Sequence, residues 1–162
     1  MIRAFRISTS IVPLLLTALL IQAGLILTAA QTQKARASAD EDGPLFSEYR
    51  SVKIGMTTEE VRKKLSNPTD KSDEQDFFIF SETESAQVFY DKSHKVFAIS
   101  VNFLNGARDL PTAKGVFGSD IQPKPDGSIY KMVRYPKAGC WVSFSRTAGD
   151  SPLTTVTVQK IE

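Results

Sequence analysis

The sequence predicts an α+β fold of two tandem units, each of short helices packed on a three-stranded antiparallel meander. The two meanders can join as one continuous sheet of about six strands with helices on one face. Three observations predict it. A complete helix-start signal stands at Met56-Thr57-Thr58-Glu59-Glu60-Val61. Three strand-like runs follow between residues 76 and 104, separated by polar tetrads. The order helix, loop, three strands then returns after about fifty residues, the spacing of a repeated supersecondary unit.

The chain opens on a different kind of segment. Arg3 and Arg6 precede an uncharged apolar run, residues 7–30, and small-residue sites follow at Thr28-Ala29-Ala30 and Ala37-Ser38-Ala39. Basic, apolar and small residues in that order are expected of a secretory signal, with cleavage after Ala30 or Ala39. The apolar run exceeds the roughly 7–15 residues of a signal core and approaches the roughly 20 that span a bilayer. Residues 1–39 are therefore read as a signal peptide or an N-terminal membrane anchor with a linker. Either way, residues 40–162 are expected outside the cytoplasm as a single α+β domain. The location is periplasmic or extracellular, or tethered to the inner membrane, with membrane contact only through residues 7–30. The formal net charge of +2 belongs to the leader. Arg3, Arg6, Lys34 and Arg36 precede Asp40 and no acid does, which leaves 16 basic against 18 acidic residues beyond it. No basic footprint for nucleic acid remains.

Within unit one (45–104), Leu45, Tyr49 and Val52 recur at helical spacing and suggest a short first helix over 45–52. The main helix is expected over 58–66. Thr57 is its N-cap, Glu60 closes a capping box, and Met56 and Val61 form a hydrophobic staple. Acids at Glu59 and Glu60 and bases at Arg62, Lys63 and Lys64 suit the helix dipole. Asn67 is expected to turn left-handed and Pro68 to stop the helix. Thr69 to Gln75 reads as a loop. Strands follow over Asp76 to Ser81, Ala86 to Asp91 and Lys95 to Leu104, with Phe97, Ile99, Val101 and Phe103 expected on the sealed face.

Unit two (106–162) begins after Asn105-Gly106. Asp109 is expected to cap a second short helix with Pro111 in its first turn. Ala113, Phe117 and Gly118 repeat the offsets of Val61, Leu65 and Ser66. Strands are then expected over Ser128 to Tyr135, Gly139 to Arg146 and Leu153 to Ile161.

Gly55, Met56, Thr57, Val61, Leu65 and Pro68, in this order and spacing, make the first unit similar to the BamE (SmpA/OmlA) family. The resemblance implies a short helical pair on a three-stranded antiparallel meander. The same unit, duplicated, resembles the beta-lactamase inhibitory protein fold. Ser66 stands where that family usually has glycine, and Gly118 holds the matching place in unit two. The lipid-accepting cysteine of the family's outer-membrane lipoproteins is missing, so no lipid anchor is implied.

The residues of reacting sites are scarce. His94 is the single histidine and sits in the turn Asp91-Lys92-Ser93-His94, where neighbours cannot align as nucleophile, base and orienter. Cys140, the single cysteine, reads as a small buried apolar residue and rules out an internal disulfide. Neither metal-ligand spacing nor a phosphate loop is present. The expectation is a protein that is not an enzyme, with no catalytic, cofactor-binding or metal-binding residue and no cofactor. Strand alternation puts Trp141 on the wetter face with Ser143 and Ser145, and gives Tyr130 and Arg134 a shared parity on the preceding strand. Trp141, Tyr130 and Arg134 are the candidate partner-binding residues. The expected function is non-catalytic: binding a protein partner in the cell envelope, as an assembly factor or scaffold does. The alternative is a secreted or tethered inhibitor of an extracytoplasmic enzyme such as a hydrolase.

Overall fold

Alternating apolar residues after the capped helix make one antiparallel sheet, and it is the main feature of the computed structural model. The structure describes residues 43–161, which lie within one compact unit, Asp40–Glu162. The leader, residues 1–39, with its signal, anchor and cleavage sites, lies outside the described residues. The elements are β1 (Glu48–Tyr49), β2 (Val52–Lys53), α1 (Thr58–Leu65), β3 (Asp70–Lys71), β4 (Gln75–Ser81), β5 (Glu84–Tyr90) and β6 (Val96–Phe103). After these come α2 (Ala113–Phe117), β7 (Ile129–Tyr135), β8 (Cys140–Arg146) and β9 (Thr154–Lys160). The fold is α+β: a seven-stranded sheet in the order β3-β4-β5-β6-β9-β8-β7 and a two-stranded sheet, β1-β2. Every strand pairing is antiparallel.

α1 starts as its sequence dictates. The Thr57 hydroxyl accepts from Glu60 N–H at 3.3 Å, and the Glu60 carboxylate accepts from Thr57 N–H at 2.8 Å. Val61 and Leu65 turn inward and are buried, each worth roughly 1.5–3 kcal/mol of apolar burial. The residues before the cap dock on β6. Gly55 N–H donates to the Val96 carbonyl at 2.8 Å, and Val96 N–H donates to the Met56 carbonyl at 2.8 Å. Gly55 has φ +87°, a conformation open to glycine and strained for other residues.

Thr69 to Gln75, expected as a loop, holds β3 and the first residue of β4, so the sheet has seven strands rather than about six. Four further expectations are corrected. No helix forms over 45–52; a hairpin stands there. Its two-residue turn, Arg50-Ser51, has φ 47° and 66°, the left-handed pair of a type I′ turn. Tyr49 and Val52 face each other across that turn and are both buried. A three-residue spacing fits a hairpin flank as well as a helix face, which is why the pattern misled. Second, Phe97 leaves the sealed face. The register shifts between Phe89 and Tyr90, so that Tyr90 pairs with Val96 and Phe89 with Ala98. The bulge turns Phe97 toward Phe89, with ring centroids 6.1 Å apart. Third, Thr112 caps α2 in place of Asp109, accepting from Gly115 N–H at 3.0 Å.

The fourth concerns the end of α1. Ser66, not Asn67, takes the unusual conformation, at φ 70° and ψ −164°. That region is essentially glycine's alone, and other residues held there cost on the order of 1–3 kcal/mol. Ser66 is exposed. Ser66→Gly is therefore expected to stabilise the fold by about 1 kcal/mol after the greater chain entropy of glycine is subtracted. A rise in the urea midpoint at unchanged m-value checks this, and an unchanged or lower midpoint refutes it.

The core lies between the sheet and the elements beneath it. Phe78, Val88, Ile99, Val101, Val142, Phe144, Val156 and Val158 point inward from the strands to meet Val52, Val61, Leu65, Ala113 and Val116. Two polar clusters join this layer. Asp76, fully buried, accepts from Arg62 Nε and Nη2 at 2.8 Å each and from the Tyr90 hydroxyl at 2.8 Å. Arg50 lies 4.2 Å from the Phe80 ring centre and binds both Glu84 oxygens at 3.1 Å, while Tyr49 donates to Glu84.

Candidate functional site

The inward parity of each strand is covered, so the outward parity forms an open face. Register places its side chains in three transverse rows. The first runs Gln75, Phe89, Ala98, Gln159, Trp141, Arg134. The second runs Phe77, Gln87, Ser100, Thr157, Ser143, Met132, and the third runs Ile79, Ser85, Asn102, Thr155, Ser145, Tyr130. Among these rows Arg134 is the one charged side chain.

The middle of the face is small, uncharged and tied together across strands. Ser100 and Thr157 hydroxyls lie 3.0 Å apart, the Thr155 hydroxyl donates to Asn102 Oδ1 at 2.8 Å, and Gln87 Nε2 donates to Gln75 Oε1 at 2.9 Å. These bonds hold the hydroxyls and amides in fixed positions. The flanks are apolar: Phe77 and Ile79 on β4, Tyr130 and Met132 on β7. Ile79, Tyr130 and Met132 are 55%, 56% and 47% exposed. Loss of charge at the centre, with Tyr, Trp, Met and Arg close by, is the composition of an interface core.

The sequence-predicted residues all reach this face. Trp141 is half-buried, opposite Arg134 on β7 and Gln159 on β9. Tyr130 is exposed and opposite Ser145, two rows from Arg134 on the same strand, a separation of about 14 Å at roughly 3.4 Å per residue. One copy therefore brings Trp141 and Arg134 together and leaves Tyr130 apart. Sequence reasoning missed Met132, which shares their parity and lies between them. It also missed Phe89 and Phe97, hidden by the bulge. At the β5–β6 end these two rings, with Tyr90, Lys92, His94 and Gln159, border an open depression of about 950 Å³.

Other reactive groups have structural explanations. His94 is exposed in the β5–β6 turn at φ 55°, and its carbonyl, not its ring, is used: it accepts from Thr58 N–H at 3.1 Å. Asp91 shapes that turn by accepting from Lys95 and Ser93 N–H, which holds its carboxyl below the usual range. Cys140 is buried, and burial pushes its thiol up, away from the reactive thiolate. Burial and then the bond to Asp76 raise the Tyr90 hydroxyl far above its ordinary value; burial and then Glu84 do the same for Tyr49. Both phenols remain proton donors. Arg62 is raised, first by its bond to Asp76. Among the described residues no group of three or more His, Cys, Asp or Glu could hold a metal ion. Among them also, no helix is long and apolar enough to cross a membrane.

Comparison of the chain with family models, curated proteins and solved structures gives no match.

Proposed function

We propose that the chain is a non-catalytic cell-envelope protein that binds a protein partner through the open face of its sheet, in the manner of an assembly factor or scaffold. The observation that supports this most is the face itself. Six strands present ordered hydroxyls and amides flanked by exposed aromatic and aliphatic side chains, with Arg134 as the one charge in the three rows and further charges, Glu74, Lys92 and Lys160, at the β5–β6 end. A partner surface of similar size loses little charge solvation on docking there. The fold is read further as two helix-plus-meander units of the BamE-like kind. In support, α1 precedes β4-β5-β6, α2 precedes β7-β8-β9, and the last strand of each meander abuts the other. Export rests on the basic, apolar and small-residue order of residues 1–39.

Trp141 is the residue to test. Trp141 is half-buried and stands in register between Arg134 and Gln159, the placement of a binding hot spot, where truncation costs at least about 2 kcal/mol of affinity. Trp141→Ala is expected to retain the strand signal in circular dichroism and to lose partner crosslinking in intact cells by roughly thirtyfold, the equivalent of that energy. A folded variant that crosslinks as the parent does removes this face as the binding surface. An inhibitor would differ in its partner: a single extracytoplasmic hydrolase, bound and blocked, with no envelope defect on deletion.

A further inference from the structure

The depression at the β5–β6 end of the sheet combines aromatic rings with hydrogen-bonding side chains. Phe89 and Phe97 are half-buried, with ring centroids 6.1 Å apart and planes tilted by 50°. The bulge brings them together, since Phe97 is the unpaired residue between Val96 and Ala98. Gln75 lies opposite Phe89 on β4, and Gln159 lies opposite Ala98 on β9. The row therefore reads amide, ring, methyl, amide over three strand spacings, about 14 Å. Gln75 Oε1 accepts from Gln87 Nε2 at 2.9 Å, which leaves the Gln75 amino group to donate. The side chains of Gln159, Glu74, Lys92 and Lys160 make no hydrogen bond or salt bridge among the described residues.

Three properties decide what chemistry fits. The charges balance, because Asp73, Glu74 and Asp91 stand against Lys92, Lys160 and His94. A polyanion or a polycation would meet as much repulsion as attraction there. The backbone is also spent: β5, β6 and β9 each have a neighbour on both sides. At this end Tyr90 N–H donates to the Glu74 carbonyl and Asp91 N–H to the Lys95 carbonyl, both at 2.8 Å. A peptide strand finds no ladder to join. Finally, rings beside amides suit a ligand with an apolar face and a polar edge. A hexopyranose with equatorial substituents is such a ligand. Its axial C–H bonds make two flat apolar faces, and its hydroxyls donate and accept around the rim.

We propose that this depression binds a short stretch of an uncharged, β-linked hexopyranose glycan, with sugar faces on Phe89 and Phe97 and hydroxyls on Gln75 and Gln159. Such a linkage keeps successive rings in one flat ribbon, the form an open trough admits. The volume of about 950 Å³ is near the top of the range of roughly 300–1,000 Å³ for small-molecule sites. An open site of that size suits a segment of a longer chain more than a single enclosed sugar. Asp73, Glu74, Lys92 and Lys160 supply acceptors and donors at the edge. Trp141 is one strand beyond Gln159 and does not border the depression. The site is separate from the residues proposed to bind a protein and does not depend on that reading.

Saturation-transfer NMR on the full chain, in a detergent without a sugar headgroup if the leader is retained, tests this with cellotetraose and chitotetraose. Transfer to the ring protons of at least one is expected, with a dissociation constant on the order of 1 mM for so open a site. The corresponding monosaccharide, glucose or N-acetylglucosamine, should bind roughly tenfold more weakly. Phe89→Leu keeps apolar bulk, removes the flat ring and should weaken binding by about tenfold. Gln159→Ala leaves the rings in place and should weaken it by roughly threefold. Trp141→Ala should bind the sugar as the parent does, even where it loses a protein partner. No transfer from either tetrasaccharide at about ten times the expected dissociation constant overturns the proposal. So does a monosaccharide that binds as tightly as its tetramer, or affinity unchanged in folded Phe89→Leu and Gln159→Ala. Sugar binding lost in folded Trp141→Ala and kept in the other two places the glycan elsewhere and overturns it too.

Discussion

Asp76→Ala is expected to destabilise the domain by about 2–3 kcal/mol, because it removes a fully buried carboxylate that is bonded to the partly exposed Arg62 and to the buried Tyr90 hydroxyl. The carboxylate is fully buried and accepts three hydrogen bonds, two from Arg62 and one from Tyr90. Without it the Tyr90 hydroxyl is a buried donor with no acceptor, and the partly exposed Arg62 guanidinium loses its two best bonds. Each loss is costly by itself. Asp76 sits on β4 and Arg62 on α1, so the pair also sets where the helix lies on the sheet. Urea titration followed by circular dichroism measures the effect. A loss below about 1 kcal/mol, the ordinary value of an exposed pair, would show that the cluster is not the clamp described. Asp76→Asn keeps the shape and one acceptor for Tyr90 and should fall between alanine and the parent.

Phe78→Ala is the second large effect expected, about 3–5 kcal/mol from lost transfer energy and a residual cavity. Phe78 is 2% exposed and is stacked on Phe80, with centroids 6.0 Å apart and planes 6° from parallel. Phe80 in turn carries the Arg50 guanidinium and meets Tyr49 edge-on at 5.7 Å. Removing Phe78 therefore loosens the seat of the β1–β2 hairpin as well as the core. Hydrogen exchange separates the two consequences: faster exchange is expected at β1 and β2 before β8 and β9 respond. Uniform acceleration across all strands would show that Phe80 holds the hairpin without help from Phe78.

The six long strands were legible in the sequence to within about two residues at their ends, because alternation reports a face directly. So was α1, because its cap is local chemistry. The misreadings share a cause. Tyr49 and Val52 are three apart, and only the positive φ of Arg50 and Ser51 distinguishes a tight hairpin from a helical turn. Neither residue is a usual occupant of that turn, so tertiary contacts, among them Arg50 with Phe80 and Glu84, hold it there. Phe97 was misplaced because a bulge moves one residue across the sheet without a mark in the pattern. The candidate site was legible only strand by strand. Alternation places Trp141, Tyr130 and Arg134 on the outward face. The rows that put Gln159 beside Trp141 arise from β8 meeting β9, and Ala98 joins them where β6 meets β9.

The β6–β9 junction has a consequence for how the domain is made. β9 comes last in chain order but lies in the middle of the sheet, where Ser100 meets Thr157 across a separation of 57 residues. Until residues 154–160 are available, β6 has a bare inner edge and the polypeptide holds two half-sheets that nothing stitches together. The hairpins on either side close early over short loops, whereas the central seam must wait for a long one. A nascent chain halted before β9 therefore exposes, at the centre of the future molecule, a strand border that only the last residues of the domain can cover.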